Sequence, residues 1–237
     1  MIKILVTSDL HGILPNINEE FDLLMICGDI CPAHDHYYAY QIEWIEYEFI
    51  NWVNTLPFKN DDAKVVITWG NHDFIGEQIT DKAKKHLEEL TNNRLKILNF
   101  EEYVFPYTNM ENMEKKNIRI FGTPYCKTFG NWAFMRDMDI LKEKYENIPE
   151  NIDILITHDA PTLGNLGLIQ EGRNNGVMAG NTALDDIILK RKPKYVFCGH
   201  IHTGNHNLIE IEGVKMANVA YINEYYRPQF DIFKFEL

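Results

Sequence analysis

"AKVVITWGNHD" (63–73) runs apolar from Val65 to Trp69, turns at Gly70, and then places an amide, an imidazole and a carboxylate in succession. Asn71 and His72 are adjacent, so the two side chains cannot easily share one task. The same design recurs in four other places. They are "IKILVTSDLHG" (2–12), "FDLLMICGD" (21–29), "IDILITHDA" (152–160) and "YVFCGHIH" (195–202). Near-continuous apolar strands without polar alternation imply burial on both faces, by helices or by a second sheet. That pattern points to an α/β fold, with Asp, Asn and His gathered at the C-terminal ends of strands, where such folds place their sites.

Helical spacing is clearest in "YAYQIEWIEYEFINWVNTL" (38–56), where Ile42, Ile45, Phe49 and Val53 recur at intervals of three and four. This helix either packs internally or presents a dimer face. Shorter helices are expected over 80–92 and 181–192, each with Thr or Asn near its start. Residues 103–122 read as paired strands around a polar turn, and the C-terminal 24 residues, from Val214 on, as further strands. No Ser/Gly/Pro linker divides the chain, so 1–237 is expected to be one domain.

The 237 residues include 45% hydrophobic and 12% aromatic side chains, enough for a sizeable core. A net charge of −12 argues against a broad phosphate-tracking surface, so nucleic acid is disfavoured as a partner. It leaves room for a small phosphorylated substrate if metal ions supply local positive charge. No apolar run reaches 18 residues, and the N-terminus lacks the build of a signal peptide, so no membrane partner is expected. Cys27, Cys31, Cys126 and Cys198 show no framework spacing. A cytoplasmic protein with reduced thiols follows as the expectation.

Pooled, the five strand ends contribute Asp9, His11, Asp29, Asn71, His158, His200 and His202, with His72 and Asp73 beside them. Asp9-x-His11 and His200-x-His202 are i, i+2 pairs, which share a side on an extended chain. Mixed oxygen and nitrogen donors without thiolate suit manganese, iron, zinc or nickel better than a structural zinc site or an all-oxygen magnesium or calcium site. Any one piece has an ordinary structural explanation. Five together, all at strand ends, do not.

With these motifs in their order, Asp9-Leu10-His11, Gly28-Asp29, Gly70-Asn71-His72-Asp73, Thr157-His158 and Gly199-His200-Ile201-His202, the chain resembles the calcineurin-like metallophosphoesterases. The resemblance implies a sandwich of two β-sheets flanked by helices and two divalent metal ions, manganese first among them. One metal would take Asp9, His11, Asp29 and His202; the other Asp29, Asn71, His158 and His200, with Asp29 bridging. Two ions roughly 3.5–4 Å apart can hold a bridging hydroxide and clamp phosphoryl oxygens. Asn71 then ligates without neutralising the metals, and His72 serves as general acid at the leaving oxygen.

The Ser/Thr phosphatase branch carries Gly-Asp-x-x-Asp-Arg-Gly, but here Pro32 stands at the second Asp and no Arg follows. The residue that orients the catalytic histidine in that branch is therefore missing. "FGTPYCKTFGNWAFMRD" (121–137) and "THDAPTLGNLG" (157–167) are instead similar to segments of small metallophosphoesterase-domain proteins, which are associated with phosphodiester and cyclic-nucleotide hydrolysis. A small-molecule phosphodiesterase is the main expectation; a phosphomonoesterase, a nuclease of the same superfamily or a non-catalytic metal-binding scaffold are the alternatives.

Around this centre several residues have two readings. His34, Asp35 and His36 line the rim or form a solvated loop. Trp132, Phe134 and Arg136 form a wall against the substrate, or the aromatics are core. Asp73 orients His72 or caps the chain that follows. Asp159 supports His158 or belongs to a turn, His86 and His206 lie at the surface, and the glycine-rich 160–180 segment is a mobile loop over the site.

Overall fold

Strand assignment follows the apolar runs closely in a computed structural model, which describes residues 1–109 and 113–237. Five strands come first: β1 (Lys3–Thr7), β2 (Leu23–Cys27), β3 (Lys64–Thr68), β4 (Leu95–Leu98) and β5 (Glu101–Asn109). Next are β6 (Glu114–Thr123), β7 (Cys126–Lys127), β8 (Met135–Arg136), β9 (Ile154–Thr157) and β10 (Tyr195–Cys198). The last are β11 (Ile209–Ile211), β12 (Val214–Asn218) and β13 (Phe233–Glu236). One sheet has the order β13-β1-β2-β3-β4 and the other β11-β12-β10-β9-β6-β5, with β7-β8 a small separate pair. The inner strands of both large sheets are parallel, and antiparallel strands occupy edges.

Both faces of each sheet are covered, which explains the missing polar alternation. Ile4, Val6, Leu23, Met25 and Val66 of the first sheet pack against Ile120, Ile154, Ile156 and Phe197 of the second. Because side chains alternate along a strand, Leu5, Leu24, Ile26, Val65 and Ile67 point the other way, onto helices. There they meet Ile45, Phe49, Ile50 and Val53 from the segment α1 (Tyr38–Trp44), a π turn (Ile45–Phe49) and α2 (Ile50–Thr55). Tyr47 projects to solvent from the opposite face. After α3 (Phe74–Gln78), helix α4 (Asp81–Glu89) adds Leu87 to the same layer. On the second sheet, α5 (Met138–Tyr145) and α6 (Thr182–Arg191) cover Leu155, Val196 and Cys198 with Leu141, Ile187 and Ile188. The order is therefore helix, sheet, sheet, helix. Among the described residues no helix is long and apolar enough to cross a membrane.

The helix starts behave as their residue types require. Thr80 accepts a hydrogen bond from the Ala83 N–H at 3.2 Å, and Asn181 from the Ala183 N–H at 2.9 Å. The π turn inside 38–56 was not legible from spacing, because Ile45, Phe49, Ile50 and Val53 keep one buried face through it. The pairing of 103–122 is present as β5 with β6, while the expected polar turn falls on 110–112, outside the described residues. Strands in the C-terminal segment are confined to its ends, and residues 219–232 run between them as turns that pass beside the strand ends.

Candidate metal centre

The strand ends leave the sheets through strained backbone. Asp9 (φ 55°), His11 (φ 43°), Asp29 (φ 50°) and His200 (φ 64°) are all left-handed, a region L-residues rarely occupy. The i, i+2 geometry expected of Asp9-x-His11 and His200-x-His202 is therefore corrected: those loops are not extended. Strand β1 ends at Thr7, Ser8 adds one bridge to Ala220, and then the Asp9 N–H donates to the Gly28 carbonyl (3.0 Å) and the His11 N–H to that of Asp29 (2.9 Å). Loop is laced to loop, and the surrounding bonds hold each unfavourable torsion.

Donor atoms from both sheets meet there. Asp9, His11 and His202 bring one donor atom each within 4.8 Å of one another, and so do Asp9, Asp29 and His158. The Asn71 side-chain oxygen lies 2.9 Å from His158 Nε2, which is also 3.2 Å from an Asp29 oxygen. His11 Nε2 is 3.4 Å from that same Asp29 oxygen, and His202 Nε2 is 3.4 Å from Asp9. His200 joins through its neighbour His158, ring centroids 5.2 Å apart. All seven residues expected as ligands are thus brought to one place, with Asp29 between the His11 side and the His158 side. The Cys126 thiol approaches His158 and His200, but burial and the charges of Asp159 and Asp29 push its ionisation well up.

The donor set fits divalent cations. His158 Nδ1 faces the Cys27 carbonyl at 2.9 Å and His202 Nδ1 that of Asn223 at 3.1 Å, which commits each Nδ1–H outward and leaves Nε2 facing inward. Both ring nitrogens of His11 are buried without a hydrogen-bond partner. Burial pushes its pKa down to about 3, against the pull of Asp29, so it is neutral at pH 7. A neutral buried imidazole facing carboxylates is costly unless a cation lies between them. Burial also opposes charge on Asp9, but the His202 hydrogen bond and charge hold it at about 2; Asp29 is lowered well below the carboxylate range by His158 and His72 despite its burial. His158 is driven the other way: burial would lower it, yet Asp29 and Asp9 raise it to about 10. In the metal-free chain, a proton on His158 partly takes the place of metal charge.

His72 adjoins these donors, a ring nitrogen lying within 4.8 Å of donor atoms of His11 and Asp29. Its N–H donates to Asp29 at 2.7 Å, while its ring Nδ1 lies 3.1 Å from His36 Nε2. Trp132 packs over the imidazole, centroids 4.4 Å apart. Burial lowers its pKa, with the Asp29 charge opposing. Asp73 departs from both expectations. Its carboxylate accepts from the N–H groups of Ile30 (3.0 Å), Cys31 (2.8 Å) and Gly70 (2.8 Å), not from the His72 ring, and it makes no side-chain cap to the following helix. Three backbone donors saturate it, so it ties the Gly28-Asp29 loop to the Gly70-Asn71 loop.

The other readings divide. His36 belongs to the site, whereas His34 bonds Tyr40 at the surface and Asp35 closes a turn onto the Tyr37 N–H. Phe134 is core; Arg136 pairs with Glu77 and lies over Tyr125. Asp159 is buried and accepts from the Lys127 N–H and the Asn181 side chain, each at 2.9 Å. His86 is exposed as expected. His206 is corrected: it is half-buried, stacked on Phe230 at 3.6 Å, with Nε2 2.9 Å from the His202 carbonyl, so it braces that loop.

A cavity of about 430 Å³ opens above the centre, lined by Asp29, Asn71, His72, His200 and His202 and walled by Phe129, Trp132, Ile169 and Val177. The glycine-rich segment supplies Ile169 and Val177, paired across a short hairpin by the Ile169 N–H to Val177 carbonyl bond (3.0 Å). Glu224 and Tyr226 close the far side, with Tyr226 4.9 Å from His11 between ring centroids. Sequence reasoning missed these two, since "NEYYRP" follows no apolar strand; Tyr226 at φ 56° is placed by a turn.

A family model described as calcineurin-like phosphoesterase matches residues 2–204. The human metallophosphoesterase domain-containing protein 1 is 30% identical over 167 residues, covering 66% of this chain and 49% of that protein. The chain thus spans about half the length of this relative. A UPF0046 protein of Caenorhabditis elegans is 27% identical over 233 residues, covering 96% of this chain and 76% of its own. Among solved structures, phosphopantetheinyl hydrolase from Mycobacterium tuberculosis has the same fold, with a TM-score of 0.53 at 13% identity, covering 92% of this chain and 88% of that one.

Proposed function

Because the chain belongs to the calcineurin-like phosphoesterase family, we propose that it hydrolyses phosphodiester bonds of a small substrate, possessing two divalent cations, manganese first, as cofactors. Asp9, His11, Asp29 and His202 would hold one, and Asp29, Asn71, His158 and His200 the other. Bound there, the cations supply Lewis acidity towards phosphoryl oxygens and acidify a water into a nucleophile near neutral pH. The observation that carries this reading is the orphaned His11 imidazole, buried and neutral between two charged carboxylates.

The chain's own residues supply the rest. His72 stands outside the ligand set but beside it, with one ring nitrogen bound to His36 and the other left for the leaving oxygen. In its protonated form it gives that nitrogen's proton to the departing alkoxide or phenoxide and returns to the neutral imidazole. The Phe129–Trp132–Ile169–Val177 wall gives an apolar seat for the ester group and excludes water. A cavity of about 430 Å³ and a net charge of −12 both favour a small ester over a nucleic-acid strand. Four buried, unpaired cysteines support a reducing compartment, the cytoplasm.

The test is hydrolysis of bis(p-nitrophenyl) phosphate against p-nitrophenyl phosphate, metal-stripped and with manganese restored. Manganese-dependent diester turnover is expected. The His72→Ala variant should keep its metal while losing roughly 10²–10⁴-fold in kcat on diesters with poor leaving groups. Preference for the monoester would redirect the assignment to a phosphatase, and metal binding without turnover of either would favour a scaffold.

A further inference from the structure

We propose that His36 is a positioning residue for His72, holding that imidazole through the Nε2···Nδ1 contact so that its second nitrogen faces the cavity; the inference rests on the phosphoesterase reading above. Three observations carry it. His36 Nε2 lies 3.1 Å from His72 Nδ1, and among the described residues no carboxylate bonds that nitrogen. The carboxylate of the chain neighbour Asp73 is taken up by three backbone N–H groups, and Asp35 is turned onto the Tyr37 N–H.

The pair is also held as a pair. Trp132 packs over His72 at 4.4 Å and meets His36 edge-on at 5.3 Å, while Phe74 covers His36 at 5.0 Å. Below, the buried Gln41 amide donates to the His72 carbonyl at 2.7 Å and reaches the Asp35 carbonyl at 3.4 Å. A single side chain thus joins the loops that carry the two histidines. An imidazole at this place orients the ring without adding another carboxylate to a cavity already lined by Asp29 and Glu224. It comes from seven residues after Asp29, four beyond Pro32, which stands where the Ser/Thr phosphatase motif has its second Asp.

The experiment uses the manganese-loaded full chain and a series of aryl methyl phosphates whose leaving phenols run from weakly to strongly basic. A positioning role predicts that His36→Ala loses kcat mainly on basic leaving groups, about tenfold on phenyl methyl phosphate and far less on the p-nitrophenyl ester, with KM little changed. His36→Gln, whose amide can still meet Nδ1, should recover most of that loss, and the double variant with His72→Ala should be no slower than His72→Ala alone. Equal loss across the series, or none, overturns the proposal. A second readout needs no turnover: ¹⁵N spectra of the metal-free chain should show His72 in one tautomer in the parent and in a mixture in His36→Ala. Unchanged His72 signals overturn the proposal even if turnover falls. If instead His72→Ala itself shows no leaving-group dependence, the proton-donor role fails, while the tautomer spectra still decide whether His36 holds the ring.

Discussion

Gly70 decides where the Asp29 carboxylate can stand. A Cβ there would run into Asp29 Oδ1 and lie 2.7 Å from His158 Cε1, so the loop needs a residue without a side chain. Gly70→Ala is expected to push Asp29 out of the centre and to lower metal content on gel-filtered protein well below that of the parent. Undiminished metal would mean that the loop yields instead. His158 makes a second prediction. Its metal-free pKa is raised to about 10, above the ordinary 6.5, so its protonated form stabilises the apo chain fully below pH 6.5. That contribution is lost as pH rises through about 10. Metal must displace this proton, so binding at pH 7 should release close to one proton from His158, and apparent affinity should rise about tenfold per pH unit. Calorimetry in buffers of different ionisation enthalpy measures the release; a heat independent of buffer would contradict it.

At the scale of elements, the site is assembled by short loops that borrow each other's hydrogen bonds. Helix α1 takes part through Gln41, whose Oε1 accepts from the Ile75 N–H at 2.9 Å while its Nε2 holds the His72 carbonyl. Gln41 is fully buried, so its loss strands two backbone groups away from water. Gln41→Ala is expected to cost about 1–3 kcal/mol in urea unfolding, the usual penalty for buried unpaired polar groups. Turnover should fall with it, while metal content stays near that of the parent because no ligand touches Gln41. If stability and turnover both survive, α1 packs beside the site without organising it.

At the scale of the molecule, the centre lies on the seam between two sheets. Asp9, His11, Asp29 and Asn71 follow strands of the first sheet, and His158, His200 and His202 follow strands of the second. The seam carries protein bonds as well: the His200 N–H donates to Asp9 at 3.0 Å and the Tyr221 N–H to the Ser8 carbonyl at 2.8 Å. Cations bound across it would link the sheets and release the repulsion between Asp9 and Asp29. Manganese at a hundred times its dissociation constant should add about 2.7 kcal/mol to unfolding and raise the melting temperature, with chelator reversing the gain. An unchanged melting temperature would place the cation elsewhere.

Much of this was determined by the sequence alone. Five apolar runs without alternation required strands covered on both faces, and both large sheets are covered on both faces. Seven Asp, Asn and His side chains at the ends of those runs announced one centre, because parallel strands deliver their C-terminal ends to a common edge. Other features depended on tertiary structure. Spacing suggested an extended Asp9-x-His11 pair, but the loop-to-loop bonds hold both residues left-handed. Asp73 sits next to His72 in the chain, yet its carboxylate turns to three N–H groups, two of them more than forty residues away in sequence. His36, 36 residues from His72, takes the place that adjacency had suggested for Asp73. Tyr226 and Glu224 reach the cavity from a turn with no motif. The physical reason is the same throughout: periodicity and residue type act locally and can be read from the chain, whereas the partner of a buried polar group is chosen by which distant backbone or ring lies within hydrogen-bonding reach once the two sheets have closed on each other.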